Sequence, residues 1–219
     1  MPKIFNPKTG ILPTAQRELW PLLRPAQSLS YVLYGGTAIA LYLGHRISVD
    51  FDFFRTEPLD KPELQAAFSF LHDQNVIQED KNTWVVNATM PSGSVKVSFF
   101  GSITIGRVSE PALTADSTLL VASQEDLLAT KLKAILDRAE AKDYRDISAL
   151  LAAGISLEYG LGAFAAMFKK DPALPLKAIG FFKDGDLPSL PQADQELLKQ
   201  ARDKVREVPK IQIADESLA

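Results

Sequence analysis

The chain has 219 residues, 46% of them hydrophobic, which is enough for one large domain or two small ones with a real core. A formal net charge of −3 argues against a protein whose main task is to bind nucleic acid through its phosphates. With no cysteine and only two histidines, disulfides and thiolate metal sites are excluded and a histidine-rich zinc site is disfavoured, so the expected metal is a hard, oxygen-bound ion such as Mg²⁺.

The N-terminus and the hydropathy of the chain predict a cytoplasmic protein that does not interact with a membrane. The opening stretch "MPKIFNPKTG" lacks the apolar core of a signal peptide. No apolar run approaches the roughly 20 residues that a helix needs to cross a bilayer.

The N-terminal half predicts alternating helices and strands. Thr14 is a candidate N-cap of the first helix, and Asp60 of a later one. Gly35 and Gly36 turn a short strand into an apolar helix that is expected to end near Gly44. In chain order the predicted elements are a helix within 12–25, the strand "SYVLY", the helix "TAIALYLGH", the strand "ISVDFDFF", the helix "DKPELQAAFSFLHDQ", and the strands "VIQED", "TWVVNATM" and "SVKVSFF" of a mostly antiparallel sheet.

The sequence beyond Ser123 is dominated by helix-forming residues. Ser123 is a good N-cap and Gly154 a good C-cap, and we expect a break near 139–141. Two further helices, "SLEYGLGAFAAMFKK" and "QADQELLKQARDKVREV", flank a connector rich in proline and glycine, "DPALPLKAIGFFKDGDLPSLP". The predicted fold class is therefore α/β (α+β), with a mixed or antiparallel sheet in residues 1–122, an α-helical domain in 123–219, and no flexible linker between them.

Two aspartates on one predicted strand suggest a metal site. Because side chains alternate along a strand, Asp50 and Asp52 face the same side, whereas Phe51 and Phe53 face the core. Two carboxylates ~7 Å apart repel each other unless a positive charge lies near them. Mg²⁺ is commonly held by a few carboxylates together with substrate phosphates, so this pair predicts a magnesium and phosphate site.

The turn that precedes these aspartates is suited to a phosphate. Without Cβ atoms, Gly35 and Gly36 let the backbone approach a ligand closely. The free N–H groups at a helix N-terminus attract anions, and the Thr37 hydroxyl is a further candidate donor. Arg46 and Ser48, just before the first aspartate, are candidates for additional contacts.

Each of these features has an ordinary structural explanation. A Gly-Gly turn is usually only a turn, and an Asp-x-Asp strand is usually a solvated face. The combination of strand, turn, helix and strand in this order favours a functional site over those explanations. A Walker P-loop is excluded because no Gly-Lys-Ser/Thr follows the glycines.

The stretch "LYGGTAIALYLGHRISVDFDFF" resembles the nucleotidyltransferase signature of the DNA polymerase β-like superfamily, specifically that of the AbiEii/AbiGii toxin family. The first motif of that family, Gly-Gly-Ser/Thr followed by a helix and Arg-x-Ser-x-Asp-x-Asp, falls without a gap on Gly35, Gly36, Thr37, Arg46, Ser48, Asp50 and Asp52. A second match in the helical half comprises Lys131, Lys142, Asp143 and Asp146.

The resemblance implies a polymerase-β-like core and an enzyme that transfers NMP from an NTP, with Mg²⁺, to a hydroxyl of RNA (tRNA being one candidate) or of a protein. It also implies the toxin of a type IV toxin–antitoxin or phage-defence system, with a cognate antitoxin as a candidate partner. By the same resemblance Asp50 and Asp52 would be catalytic and bind the metal, Lys131 would hold the triphosphate, and Asp143 would orient a ligand or act in proton transfer. The nucleotide would also contact Gly35, Gly36, Thr37, Arg46 and Ser48.

One position departs from the family pattern. A third carboxylate is expected on a later strand, but "SVKVSFF" carries Lys96 and Ser98 at the two matching positions. Three explanations remain open: the strand alignment is wrong, Asp143 or Asp146 supplies the missing acid, or this chain binds a nucleotide or a protein partner without transfer. Without the family spacing, the charges around Lys131 would be interpreted as a solvent-exposed helix face.

Overall fold

The computed structural model describes residues 3–72 and 75–219, and the chain divides into two compact units. Unit 1 comprises Met1–Gly106, Glu110–Ala122 and Glu216–Ala219, and unit 2 comprises Arg107–Ser109 and Ser123–Asp215.

Unit 1 is built on a mixed sheet, in agreement with the predicted fold class. In the described part of the chain eight strands lie in the order β1-β7-β8-β2-β3-β6-β5-β4. The strands β4, β5 and β6 form the predicted antiparallel meander, while β3 pairs parallel with β6 and antiparallel with β2. The strands are β1 (Lys3–Phe5), β2 (Val32–Tyr34), β3 (Asp50–Phe54), β4 (Asn75–Asp80), β5 (Thr83–Met90), β6 (Gly93–Phe100), β7 (Ala112–Thr114) and β8 (Leu120–Val121), and the helices of the unit are α1 (Thr14–Leu19), α2 (Pro25–Ser28), α3 (Gly35–Leu43) and α4 (Lys61–Ala67).

Aromatic side chains form the core beneath the central strands. Phe51 and Phe53 are fully buried, so the predicted alternation along β3 is confirmed. The Phe53 ring stacks on Phe99 of β6 at a centroid distance of 5.5 Å, and Tyr31 meets Phe99 edge-on at 5.3 Å. Because a shift of β3 by one residue would move these rings to the solvent side, their packing fixes which face of β3 carries the aspartates.

The predicted helix boundaries of unit 1 are confirmed in part. Asp60 caps α4, since its carboxylate accepts the Glu63 N–H at 3.0 Å. The predicted helix "DKPELQAAFSFLHDQ" is too long: α4 ends at Ala67 and a 3-10 turn follows, while residues 73 and 74 lie outside the described residues.

The prediction of Thr14 as an N-cap is wrong. Pro13 occupies the capping position and Thr14 is the first residue of α1. The Thr14 hydroxyl accepts a hydrogen bond from the Arg17 guanidinium at 3.1 Å, so it is engaged by a side chain instead of a free backbone N–H.

Unit 2 is helical, as predicted. Ser123 caps the first helix by accepting the Asp126 N–H at 3.0 Å, and Gly154, at φ 95°, follows the second helix in the left-handed conformation typical of a helix end. The predicted connector is partly wrong, because it contains a short helix and a 3-10 turn. The helices of this unit are α5 (Gln124–Asp137), α6 (Ala141–Ala152), α7 (Leu157–Phe168), α8 (Ala173–Ala178) and α9 (Gln192–Lys204).

Within residues 3–72 and 75–219, no helix combines the length and the apolar character that a bilayer crossing requires.

A buried carboxylate at the start of α5 makes the stability of unit 2 depend on pH. Asp126 is buried and its Oδ1 accepts the Val108 N–H at 2.9 Å. Burial raises the pKa of Asp126 to about 7, and the hydrogen bonds from Val108 and Ser123 offset only part of that effect. The folded state therefore binds this proton more tightly than the unfolded state. The contribution of Asp126 to stability is fully present below pH 3.8 and is lost as the pH rises through about 7.

We expect Asp126→Asn to remove this pH dependence, because the amide oxygen still accepts the Val108 N–H but does not titrate. Relative to the parent chain, the variant should gain about 2–4 kcal/mol in free energy of unfolding between pH 5 and pH 8, as measured by urea denaturation. Asp116→Asn is the control, and it should lower the free energy of unfolding instead of raising it. Burial opposes ionisation of Asp116, but hydrogen bonds from Trp20, Thr114 and Thr118 lower its pKa. A constant stability difference between Asp126→Asn and the parent chain across this range would contradict the assignment.

Candidate active site

The turn from β2 into α3 approaches the second aspartate so closely that a Cβ atom at its first position would displace the carboxylate. Gly35 has φ +76°, and a Cβ atom built there would lie 2.7 Å from Asp52 Oδ2. Tyr34, the last residue of β2, is the register partner of Asp52 in the antiparallel β2/β3 pair. The pairing of these two strands therefore places the Asp52 carboxylate against the N-terminus of α3.

The second glycine of the turn lies against the loop that precedes β3. A Cβ atom at Gly36 would collide with Arg46 Nη2 and would lie 2.9 Å from Ser48 Oγ. The Arg46 guanidinium also donates to the Ile47 carbonyl at 3.0 Å. The structure thus gathers five of the predicted residues around one turn: Gly35, Gly36, Arg46, Ser48 and Asp52.

Thr37 connects this turn to the strand that carries the aspartates. Its side chain is buried, and the hydroxyl donates to the backbone carbonyl of Asp50. This bond holds the first turn of α3 against the start of β3. A contact between the Thr37 hydroxyl and a phosphate stays a prediction, whereas its bond to Asp50 is observed.

Asp50 and Asp52 lie on the partly exposed face of β3, and Asp50 already has a cationic partner. Lys96 Nζ lies 2.9 Å from Asp50 Oδ2. In the parallel β3/β6 pair Asp50 is the register partner of Lys96, and Asp52 that of Ser98. The strand chosen from the sequence is therefore the neighbour of β3, and a register error does not explain the missing acid.

The donor set at this face suits a magnesium ion that arrives with a phosphate ligand. In the residues that the structure describes, no group of three or more carboxylate or histidine side chains converges on a metal position. Mg²⁺ needs only one or two protein carboxylates when substrate phosphates and water complete its shell. Asp50 and Asp52 meet that requirement, and the glycine turn leaves beside Asp52 the space that a Cβ atom would fill.

The second predicted group lies within unit 2, and all of its members except Lys142 are buried. Lys131 Nζ, on α5, lies 2.7 Å from Asp143 Oδ1 and 2.7 Å from Asp146 Oδ2, both on α6. The exposed fractions of these side chains are 7% for Lys131 and 0% for each aspartate, so the interpretation of these charges as a solvent-exposed face is wrong. The predicted break lies between Asp137 and Ala141, where α5 ends and α6 begins. The turn between the two helices lets charges that are distant in sequence meet.

A further cation completes this buried group. Arg138, in the break, donates from Nε to Asp143 Oδ2 at 2.7 Å. Burial alone would raise the pKa of Asp143, but the hydrogen bonds and positive charges of Arg138 and Lys131 outweigh it and lower the pKa. Asp143 therefore stays ionised and is a poor proton acceptor. Arg138 was not among the predicted site residues, although it directly precedes the break predicted near 139–141. Lys142 pairs at the surface with Glu140 at 2.7 Å.

Comparison with known proteins places these motifs in a family. The family model described as "Nucleotidyl transferase AbiEii toxin, Type IV TA system" matches residues 19–214, which include both groups of charged residues. The chain belongs to this family. The AbiEii family resemblance stated from the motifs is thereby confirmed, and the predicted class of enzyme is the one that the description of this family names.

A curated relative is similar to part of this chain. The AbiEii-family chain is 29% identical over 119 residues to an uncharacterized protein of Aquifex aeolicus (strain VF5), covering 53% of this chain and 55% of that protein. It thus spans about half the length of the curated relative that it matches.

Two solved structures share the fold. One is a candidate nucleotidyltransferase from H. pylori, with a TM-score of 0.56 and 18% identity over 87% of this chain and 94% of that one. The other is MenT4, a nucleotidyltransferase toxin from Mycobacterium tuberculosis H37Rv, with a TM-score of 0.57 and 16% identity over 84% of this chain and 81% of that one.

The close approach of Gly35 to Asp52 predicts a specific cost of substitution. Gly35→Ala and Gly154→Ala should each lower the free energy of unfolding by about 1 kcal/mol, because both glycines have positive φ. Gly35→Ala should lose about 0.5–1.5 kcal/mol more, because its Cβ pushes the Asp52 carboxylate off its rotamer, whereas nothing lies within 4 Å of a Cβ at Gly154. Urea denaturation of both variants measures the difference, and equal losses would contradict the described contact.

The buried position of Lys131 predicts a large loss of stability on substitution. Lys131→Met leaves two buried carboxylates with one fewer cation, so we expect a loss of about 3–5 kcal/mol in free energy of unfolding. The matched control is Lys133→Met on the same helix, which removes a surface i,i+4 pair with Asp137 and should cost about 0.5 kcal/mol. If chemical denaturation gave similar losses for the two variants, Lys131 would not be a buried counter-ion.

Proposed function

We propose that this AbiEii-family chain transfers NMP from an NTP to a hydroxyl group of an acceptor in a magnesium-dependent reaction. The acceptor is an RNA, with tRNA as one candidate, or a protein. The observation that carries the proposal is the close approach of Asp52 to the glycine turn at Gly35, which sets a carboxylate beside the backbone N–H groups of a helix N-terminus. A metal-bound triphosphate needs both kinds of group in one place.

The glycine turn is the proposed phosphate-binding element. The N–H groups of the first turn of α3 have no partner within the helix and carry the positive end of its dipole. Arg46 and Ser48 border the same turn at Gly36, so the proposal assigns their guanidinium and hydroxyl to contacts with phosphate oxygens. Thr37 contributes through its hydrogen bond to the Asp50 carbonyl, which holds the turn against the strand.

Asp50 and Asp52 are the proposed metal-binding and catalytic residues. When bound, magnesium would neutralise charge on the triphosphate and on the pyrophosphate that leaves. In the transfer, the acceptor oxygen forms a bond to the α-phosphorus, the bond from that phosphorus to the pyrophosphate oxygen breaks, and the hydroxyl proton passes to water. The contribution of the chain is to hold the two carboxylates and the phosphate cradle in fixed positions, because this reaction depends chiefly on positioning and charge neutralisation.

Lys131 and Asp143 are proposed as the second functional pair, on the family spacing. Both are buried and paired, so Lys131 would bind a triphosphate only if it gave up a bond to Asp143 or Asp146. The lowered pKa of Asp143 favours a role in orienting Lys131 and Arg138 over a role as proton acceptor.

A second candidate function is nucleotide or partner binding without transfer. It is favoured by the cation on Asp50 and the hydroxyl beside Asp52, where the family pattern has acids. Without a third carboxylate on β6, that strand offers no base for the acceptor hydroxyl.

The family also motivates a biological role. Its description names a type IV toxin–antitoxin system, and MenT4 is described as a nucleotidyltransferase toxin. We therefore include in the proposal that the chain acts in the cytoplasm as the toxin of such a system and that a cognate antitoxin counteracts it.

Transfer of label from each [α-³²P]NTP to total RNA and to the protein itself tests the proposal. We expect labelling by the parent chain with Mg²⁺, and a loss of about 10²–10³-fold in Asp50→Asn and Asp52→Asn, because these amides do not neutralise a metal. Asp80→Asn, at an exposed position of β4, is the control and should label normally. Stabilisation by NTP and Mg²⁺ in a thermal shift assay without any labelling would instead support the binding function.

A further inference from the structure

Lys96 contacts a proposed metal-binding aspartate but has no role in the transfer reaction proposed above. Its ammonium lies 2.9 Å from Asp50 Oδ2 on the partly exposed face of the sheet. The parallel pairing of β3 and β6 places the two residues side by side, so their contact follows from backbone register. The exposed fractions of the side chains are 40% for Lys96 and 35% for Asp50, so this ion pair is open to solvent and to ligands, unlike the pair at Lys131.

We propose that Lys96 is an exchangeable counter-ion: it neutralises Asp50 in the free enzyme and transfers to the triphosphate when the nucleotide binds. The inference rests on the proposed function, because it assumes that Asp50 binds a metal and that a triphosphate enters the site. It assigns Lys96 to nucleotide binding, and it makes metal binding at Asp50 depend on the nucleotide.

Electrostatics gives the reason for the exchange. A divalent ion and the Lys96 ammonium are both attracted to Asp50 and repel each other, so Lys96 weakens binding of a metal alone. A triphosphate brings several negative charges and offers the ammonium a new partner. The pair with Asp50 is solvated and therefore weak, so little free energy is lost when it opens.

The side chain of Lys96 is suited to this movement. A lysine ammonium is a compact charge on a flexible stem with three rotatable donors, so it can serve two anionic partners in turn. Ser98, the other β6 residue beside the aspartates, is buried and uncharged. On this strand, Lys96 is therefore the residue able to exchange between Asp50 and a phosphate.

The proposal predicts effects of opposite sign for one substitution. Lys96→Met should bind Mn²⁺ alone about 5–10-fold more tightly than the parent chain, because the competing charge is gone. The same variant should bind the nucleotide about tenfold more weakly in the presence of Mn²⁺, because a charge-assisted contact to phosphate is lost. A residue with a purely structural role would shift both affinities in the same direction or neither.

The experiment uses the full chain and two titrations. Free Mn²⁺ is followed by electron paramagnetic resonance as MnCl₂ is added alone, and isothermal calorimetry then measures binding of the α,β-methylene analogues of ATP, GTP, CTP and UTP at saturating Mn²⁺. Lys61→Met is the matched control, since it removes the exposed pair between Lys61 and Glu79 elsewhere in unit 1. Lys96→Arg keeps the charge and should bind Mn²⁺ alone as weakly as the parent chain.

The outcomes separate this inference from the function on which it rests. Opposite shifts in Lys96→Met, with Lys61→Met unchanged, support the exchange. Unchanged affinities in Lys96→Met, together with loss of Mn²⁺ binding in Asp50→Asn, overturn the inference and leave the proposed function intact. If the parent chain binds neither Mn²⁺ nor any analogue, both fail. Should Lys96→Met not fold, Lys96→Gln repeats the test, and the same opposite shifts are required.

Discussion

The candidate site depends on one electrostatic constraint, the presence of two like charges on the same face of a short strand. Phe51 and Phe53 are packed in the core of unit 1, so β3 cannot rotate to move Asp50 and Asp52 apart. The repulsion between the two carboxylates has to be met by cations that come to them. The fold meets it for Asp50 with Lys96, and it leaves the Asp52 carboxylate against the N-terminal end of α3, where helix dipoles favour negative charge.

The two groups of charged residues satisfy their carboxylates in different ways. Lys131 is buried with the carboxylates of Asp143 and Asp146, and Arg138 adds a second cation beside Asp143. Removal of Lys131 or of a carboxylate therefore leaves a charge without compensation in a medium of low dielectric constant. The pair between Asp50 and Lys96 is open to solvent, where each charge retains part of its hydration. An ion pair of the first kind holds helices together, whereas one of the second kind can exchange partners at little cost. The same residue types thus favour rigidity in unit 2 and ligand exchange in unit 1.

Sequence patterns predicted those features that depend on neighbours in the chain. The alternation of Asp50 with Phe51 gave the exposed and buried faces of β3, and the caps at Asp60 and Ser123 depend on residues only three positions away. The prediction of Thr14 as an N-cap was wrong because Pro13 occupies the capping position and the Thr14 hydroxyl accepts a hydrogen bond from Arg17. The burial of Lys131 could not be predicted from charge spacing, because an amphipathic solvated helix and a buried ionic group have the same local pattern. Only the packing of α5 on α6 distinguishes them.

Lys96 stands where the family pattern has an acid, and this exchange changes the charge of the site. A site with three carboxylates and two divalent ions presents a net charge of one positive unit to an incoming triphosphate. Two carboxylates, one ammonium and one divalent ion present the same net charge. Replacing an acid by Lys96 therefore need not abolish attraction for the nucleotide, although it lowers the number of metal ions that the carboxylates can hold. The same exchange removes a candidate base.

Neither the Lys96 ammonium beside Asp50 nor the buried Ser98 hydroxyl beside Asp52 accepts a proton readily. Transfer and binding without transfer therefore differ in how the acceptor hydroxyl loses its proton. An acceptor that is already acidic or activated by a metal would not need a third carboxylate.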